Sequence, residues 1–443
     1  MLRRKIIESL DRWAVRDHKK ALFVEGARQV GKTTSIREFS KSRFKHYIEI
    51  NFIKKPLAKR AFDGDLDTQT IVMNLSMMGF GTFVPHETVI FLDEIQECPQ
   101  ARTAVKFLVE DGAYAIVESG SLLGINYKGE THPDGDTIDE IASIPVGYEE
   151  HLEMYPLDFE EFLWACGIKN EIVKILEESF DNVTPVADFV HNRIMELYRK
   201  YLVVGGLPEV VDNFVRNEDF SHTVSTQIDL IKGYRHDISK YAGKDKDIVK
   251  RIFDAIPSQL AKQDKRFIIA NLEANASRRK FADPTQWLID AGMAYYATNV
   301  NALTLPFSNY ENRKLYKLYM LDTGLVCNMS LNGRQFEVMN GEIGINEGAL
   351  TENFVAAELA KKGVSLHYHD KKSKHELDFV VATPKGIKII EVKSGRDFKR
   401  HASLSYTMSN EGENISEAVV LCNSNVEFEN GIKYLPLYMT MFL

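Results

Sequence analysis

Cysteine is scarce in this chain of 443 residues: four, Cys98, Cys166, Cys327 and Cys422, lie far apart with no C-x-x-C pair. That spacing argues against a disulfide framework and a thiolate zinc site, and it predicts reduced thiols in a cytoplasmic protein. Long apolar runs are missing too. None approaches the roughly 20 residues needed to cross a bilayer, so no membrane partner is expected. The start, Met1-Leu2-Arg3-Arg4-Lys5, is basic, but further charged residues come too soon for the apolar core of a signal peptide to form. Internal repeats and low-complexity tracts are absent. Net positive charge is also lacking: the balance of −8 argues against a chain that coats nucleic acid indiscriminately. The bulk of the composition, 27% charged and 44% hydrophobic residues, is that of an ordinary soluble globular protein. Its length suits about three domains.

Against that background one motif stands out. Gly26-Ala27-Arg28-Gln29-Val30-Gly31-Lys32-Thr33 is a complete G-x-x-x-x-G-K-[ST] loop. The apolar run 21–24 before it reads as a buried strand, and residues 33–39 continue as a helix. Backbone N–H groups from Gly26 through Thr34, with Arg28, Gln29, Val30 and Gly31 between, would wrap phosphates at a helix N-terminus. Lys32 would neutralise the β- and γ-oxygens, and the Thr33 hydroxyl would sit on Mg²⁺. The apolar run Thr88–Leu92 ends in Asp93 and Glu94, 60 residues after Thr33. Asp93 is expected to hold Mg²⁺ and Glu94 to polarise the attacking water. Ser119 or Ser121, after the next strand, could report the γ-phosphate; a plain strand-to-loop turn explains them nearly as well. Arg28, Arg199 and Arg235 are the candidates for a transition-state cation, with none preferred.

Strands over 21–25, 46–52, 88–93 and 113–118 alternate with helices, which predicts a mostly parallel sheet. Residues 124–143 read as a mobile polar loop. Residues 158–238 read as helical, broken at Gly205-Gly206-Leu207-Pro208. Three helices and a ribbon come next over 245–306, with Asp283 as an N-cap, Pro284 at the first helical position, and strands over 293–299 and 302–307. This is the pattern of a winged helix-turn-helix, used on DNA or only for packing and protein contacts. From Lys240 to Lys280 there are 11 Lys and Arg against 5 Asp and Glu, and from Glu358 to Arg400 there are 11 against 6. Such local basic surface suits nucleic acid.

Two strand-like runs, 376–381 and 387–393, flank Thr383-Pro384-Lys385-Gly386. A hairpin closed by Pro384-Lys385 sets Asp378 opposite Glu391 and Glu376 opposite Lys393; a three-residue loop would shift this register by one. Facing carboxylates repel, and a divalent metal between them removes the penalty. Residues 347–362 read as a helix ended by Gly363, with Glu352 on the apolar stripe of Val355 and Leu359. Glu352, Asp378 and Glu391 would bind the metal, and Lys393 would orient or activate water. A buried salt-bridge network, with Lys393 on Glu376 or Glu391, is the structural alternative.

Together the stretches 26–34, 91–96, 119–123, Pro156–Phe162, 205–209, 376–379 and 391–395 resemble a family of prokaryotic predicted AAA+-type ATPases that carry a C-terminal domain of unknown function. The resemblance covers nearly the whole chain. It implies a P-loop core, a helical lid, a winged helix and a C-terminal domain similar to the PD-(D/E)-x-K nucleases. It carries Lys32, Thr33, Asp93 and Glu94 over to ATP, and Glu352, Asp378, Glu391 and Lys393 to the nuclease-like fold. Many relatives have Gly-Arg shortly before the Pro-Leu-x-Phe stretch, where this chain has Gly147-Tyr148. The expectation is therefore an α/β chain in four parts. These are a P-loop ATPase domain with a parallel sheet (1–157), a helical lid (158–244), a winged helix (245–306) and a restriction-endonuclease-like α/β domain (307–443). ATP and Mg²⁺ are the expected cofactors, with a second divalent metal at the C-terminal site. The expected partners are DNA or a protein, and an oligomer is compatible with the sequence. The rival readings are a regulatory switch whose C-terminal fold is an inactive scaffold, and a transcription regulator acting through the winged helix.

Overall fold

Strands that are apolar on both faces belong in the middle of a parallel sheet, and the first half of the chain builds one. A computed structural model describes residues 2–16, 20–120, 145–217, 219–274, 276–331, 333–341, 347–371, 375–395, 397–410 and 414–443. The loop expected over 124–143, and Ser121, lie outside them. The chain divides into two compact units, one of Arg4–Tyr155 with Asp290–Gly292, the other of Pro156–Ile289 and Met293–Leu443 with the first residues of the chain.

In the N-terminal unit, β1 (Ala21–Glu25), β2 (His46–Asn51), β3 (Thr88–Asp93), β4 (Ala115–Ser119) and β5 (Glu149–Glu153) form one sheet in the order β2-β3-β4-β1-β5. Every pairing is parallel. Helices α1 (Ile6–Ala14), α2 (Lys32–Arg43), α3 (Thr68–Met77) and α4 (Pro99–Asp111) accompany it. Phe23, Ile50, Phe52, Ile90, Leu92 and Leu108 are buried in its core. The register sets Asn51 beside Asp93, and Asp93 beside Ser119, at the carboxyl ends of three adjacent strands. In open α/β sheets that end carries the ligand site. Strand β5 has no counterpart in the sequence reading. Its residues, Glu-Glu-His-Leu-Glu, have little strand propensity, and only the exposed edge of β1 gives them a place.

The second unit begins with α5 (Phe159–Ala165), α6 (Asn170–Asp181), α7 (Asp188–Val204), α8 (Pro208–Asn217), α9 (Phe220–Tyr241), α10 (Lys246–Leu260) and α11 (Arg278–Asp290). Asp158 and Glu161 form a capping box at the start of α5. The Leu157 carbonyl accepts from Tyr201 Oη at 2.6 Å and Lys361 Nζ at 3.0 Å, and Leu157 N–H donates to Gly206 O at 2.7 Å. Gly206 N–H in turn donates to buried Asp322 at 2.5 Å. A Cβ at Gly206 would overlap the Leu157 carbonyl, so the Gly-Gly-Leu-Pro break is needed for close approach.

An eight-stranded sheet completes this unit. Its members in chain order are β6 (Ala294–Val300), β7 (Glu311–Met320), β8 (His367–Asp370), β9 (Glu376–Thr383), β10 (Gly386–Lys393), β11 (Ile415–Cys422), β12 (Glu427–Glu429) and β13 (Ile432–Pro436). Its order is β12-β13-β11-β10-β9-β8-β6-β7. Helices α12 (Thr323–Leu331), α13 (Gln335–Asn340), α14 (Glu347–Lys361) and α15 (Ala402–Asn410) intervene.

The winged-helix expectation needs correction here. Residues 302–307 are not a strand; β6 pairs antiparallel with β7 at 311–320 and parallel with β8. The ribbon is therefore part of the large sheet and not a free two-stranded wing. Helix α11 starts at Arg278, so Asp283 does not cap it and Pro284 lies inside it. Two other expectations match the structure. Helix α14 spans Glu347–Lys361 with left-handed Gly363 just beyond, and the β9–β10 hairpin pairs Thr383 with Gly386 and Phe379 with Ile390. That is the register in which Asp378 and Glu391 come next.

Among the described residues no helix is long and apolar enough to cross a membrane.

Candidate functional site

Strand β1 runs into the glycine loop, and α2 starts at Lys32 directly after Gly31. Gly26 has φ +148°, and a Cβ there would overlap the Met154 carbonyl, so no other residue fits. The buried Arg4 guanidinium donates to the carbonyls of Val30 at 2.8 Å and Tyr155 at 2.7 Å, which fixes the far side of the loop. Val30 is buried, Arg28 half-buried, and Gln29 and Thr34 exposed. Lys32 Nζ lies over the loop, 2.9 Å from Gly26 O and 2.7 Å from Ala27 O. Burial lowers its pKa to about 8, against the pull of Glu94 and Asp93.

Asp93 is held from three sides. Thr33 Oγ1 donates to it at 3.1 Å, Asn51 Nδ2 at 2.6 Å, and Ser119 Oγ also donates. Glu94 comes next in the left-handed region, with φ +57°, and its carboxylate accepts from Gln96 Nε2 at 2.6 Å. Lys32, Thr33, Asp93, Glu94 and Ser119 are thus gathered at one end of the sheet. A hydroxyl and a carboxylate side by side next to a loop lysine are the donor set for a magnesium-bound polyphosphate. Two members were not found by sequence reasoning. Asn51 was legible only as the polar end of a strand, and the signal for Gln96 was the Asp-Glu-x-Gln spacing. Of the arginines considered for the transition state, Arg235 pairs with Asp254 at 2.8 Å and Arg199 lies beside Gly341.

The C-terminal unit holds a second polar cluster. Glu352, on α14, is fully buried. Its Oε1 accepts from Tyr319 Oη at 2.6 Å and pairs with Lys317 Nζ at 3.0 Å, while Oε2 takes Lys265 Nζ. Burial alone would raise this carboxyl, but the two ammonium groups bring it down to about 2. Lys317, also fully buried, reaches Glu376 at 2.7 Å. Glu376 therefore partners Lys317, and not Lys393 as the hairpin register suggested. Asp378 accepts the Val392 N–H at 2.8 Å. Glu391 is only 6% exposed; its Oε1 pairs with Lys393 Nζ at 2.7 Å, and its Oε2 is buried with no hydrogen-bond partner among the described residues. Burial, then the neighbouring Asp378 charge, raises Glu391 to about 8.

The structure thus brings Asp378, Glu391 and Lys393 together, with Glu352 tied to lysines nearby. Among the described residues, no group of three or more His, Cys, Asp or Glu side chains is placed to hold a metal ion. The Lys393–Glu391 pair matches the salt-bridge alternative. Lys265 and Lys317 were missed because their sequence neighbourhoods carry no motif.

Comparison with known proteins finds matches to three stretches of the chain. A family profile described as an AAA domain matches residues 18–163. Two profiles described as domains of unknown function, DUF8612 and DUF4143, match residues 195–335 and 347–440. An uncharacterised protein of Methanocaldococcus jannaschii, MJ1637, is 24% identical over 97% of this chain and 86% of its own length. Among solved structures, the Walker-type ATPase PABY2304 of Pyrococcus abyssi covers 74% of this chain and 96% of itself, at 13% identity and a TM-score of 0.45. The RuvB Holliday junction branch migration motor of Thermotoga maritima covers 66% and 89%, at 13% identity and a TM-score of 0.28. The complete phosphate loop, the parallel sheet and the matched profile agree: the N-terminal part of this chain is an AAA-type P-loop ATPase domain.

Proposed function

We propose that the chain binds and hydrolyses ATP at the N-terminal site, and that its nucleotide state controls a DNA-facing, metal-dependent nuclease-like site in the C-terminal unit. The observation that carries the first half is Asp93, held by Thr33, Asn51 and Ser119 beside Lys32. Thr33 and Asp93 would hold Mg²⁺, which supplies charge neutralisation on the phosphates. Lys32 would leave the loop carbonyls for the phosphate oxygens. Glu94 would accept the proton of the attacking water once its Gln96 contact opens. Glu94→Gln should bind ATP normally and lose about 10²–10⁴-fold in turnover. Lys32→Ala should weaken binding by about 10- to 100-fold, the usual effect of losing a charged donor. Unimpaired hydrolysis by both variants would remove this reading.

The second half rests on Asp378 beside Glu391. Glu391 Oε2, which has no hydrogen-bond partner among the described residues, and the Asp378 carboxylate beside it support a cation there in addition to Lys393. Asp378 and Glu391 would hold a divalent ion, which would polarise a phosphodiester, and Lys393 would hold water or a phosphate oxygen. DNA is the favoured substrate because α11 opens with exposed Arg278, Arg279 and Lys280 within the basic 240–280 segment. Wild type with Mn²⁺ and ATP should cut labelled DNA, and Glu391→Ala should not. A second reading, an ATP-driven switch with an inert C-terminal scaffold, is favoured by the lysines that occupy Glu352. Absence of cleavage by wild type on any duplex or single strand would select it.

A further inference from the structure

Helix α15 and strand β9 are locked together by their core: Leu404 of the helix and Leu377 of the strand are both fully buried in one apolar cluster. Two residues along from each, this packing brings two rings together. His375, just before β9, lies flat against Tyr406 of α15, with ring centroids 3.9 Å apart and planes 3° from parallel. That is the parallel stack in which aromatic side chains and nucleobases pile on one another. Tyr406 keeps 42% of its surface in solvent even with one ring face against His375. A core contact underneath, a ring behind and water in front make the pair a rigid ledge.

Charge around the ledge points to its occupant. The stretch Glu358–Arg400, which contains His375, carries 11 Lys and Arg against 6 Asp and Glu. Arg400, just before α15, has 87% of its side chain in solvent and a long 3.9 Å contact to exposed Asp397. An open ring beside cations suits a strand of planar bases on a phosphate backbone. A duplex fits poorly, because its bases already stack on one another and present only their edges in the grooves. An apolar peptide would use the ring but not the charge.

We propose that Tyr406, backed by His375, is a stacking platform for an unpaired nucleobase, so that the C-terminal unit takes single-stranded nucleic acid. The proposal rests on the nucleic-acid reading of that unit and requires no metal at the carboxylate cluster. Tyr406 supplies the face, and Arg400 meets the backbone. His375 is a positioning residue, which holds the Tyr406 ring without touching the base. Every base has a π-face, so the platform reads no sequence.

The test is binding of a labelled oligothymidylate, the same strand carrying abasic sites, and a duplex, followed by fluorescence anisotropy on the full chain. Wild type should prefer the oligothymidylate to the duplex. Tyr406→Ala should bind the single strand about tenfold more weakly, within the range for one stacked base, and should bind the duplex as wild type does. Tyr406→Phe keeps the ring and should keep the affinity. The salt dependence of binding should be the same for wild type and Tyr406→Ala, because a ring neutralises no phosphate. Abasic sites should weaken wild type by a similar factor, which tests the contact from the ligand side in the unmodified protein. Unchanged single-strand affinity in Tyr406→Ala, or equal binding of abasic and complete strands by wild type, would overturn the platform while the nucleic-acid reading stands. Wild type that binds none of the three ligands would bring down that reading, and the platform with it.

Discussion

Single side chains in this protein are tuned mainly by burial against nearby charge. Lys32 titrates near pH 8 because burial outweighs the pull of Glu94 and Asp93. Only its protonated form attracts phosphate, so ATP affinity should fall as pH rises through 8. By pH 9 about nine-tenths of the charge is gone, and affinity should drop by up to about tenfold from its value at pH 7. Fluorescent-nucleotide titration would measure this, and Lys32→Arg should flatten the profile. Glu118 on β4 offers a second titration. It is fully buried, with Arg102 at 3.6 Å, and burial and then Glu149 raise its pKa well above the ordinary value of 4.5. The folded state therefore keeps a proton that the unfolded chain has lost. Its contribution to stability is greatest below pH 4.5 and declines as pH rises toward the folded value. Glu118→Gln should remove that decline and melt higher than wild type at pH 7, while Arg102 keeps Glu149 at 2.9 Å. A lower melting temperature for the variant would mean that Glu118 is ionised and paired.

Whole elements meet where the Pro-Leu-x-Phe and Gly-Gly-Leu-Pro stretches touch. The Leu157 carbonyl takes two donors, and Gly206 fits against it with no room for a methyl group. Gly206→Ala should cost about 1–3 kcal/mol, the range for overpacking a close contact. Asp158→Ala, which removes the cap of α5, should cost about 1 kcal/mol. Denaturant melts of both would rank them, and the reverse order would show that the contact yields easily. These stretches were legible as motifs, but their role was not. A sequence marks Gly-Gly-Leu-Pro as a break; it does not say which carbonyl the glycine must admit. The hairpin was more transparent, because a loop of two or three residues leaves only two registers open, and the two-residue turn brings Asp378 to Glu391. The supposed wing was opaque, since the true partner of β6 begins 11 residues after it ends.

At the scale of the molecule there are two compact units, one carrying the nucleotide site and the other the carboxylate cluster. ATP with Mg²⁺ at a hundred times its Kd should stabilise the unit that binds it by about 2.7 kcal/mol. Amide exchange within β1, β3 and β4 should slow accordingly. If nucleotide state governs the second unit, exchange over 376–393 should change as well. A response confined to the N-terminal unit would sink the proposed control and leave an ATPase with an independent second site.

The nucleotide site could be read directly along the chain, because a phosphate loop is built from consecutive residues and a strand-to-helix turn whose chemistry is local. The β9–β10 register was readable for the same reason of short range. Packing in three dimensions decides what each carboxylate faces. Asn51 meets Asp93 across strands, and Lys265 and Lys317 reach Glu352 from 87 and 35 residues away. No pattern along the chain announces such pairs. A buried carboxylate requires a cation, but which lysine supplies it depends on the packing of α14 against the sheet and on where the segment between α10 and α11 crosses it.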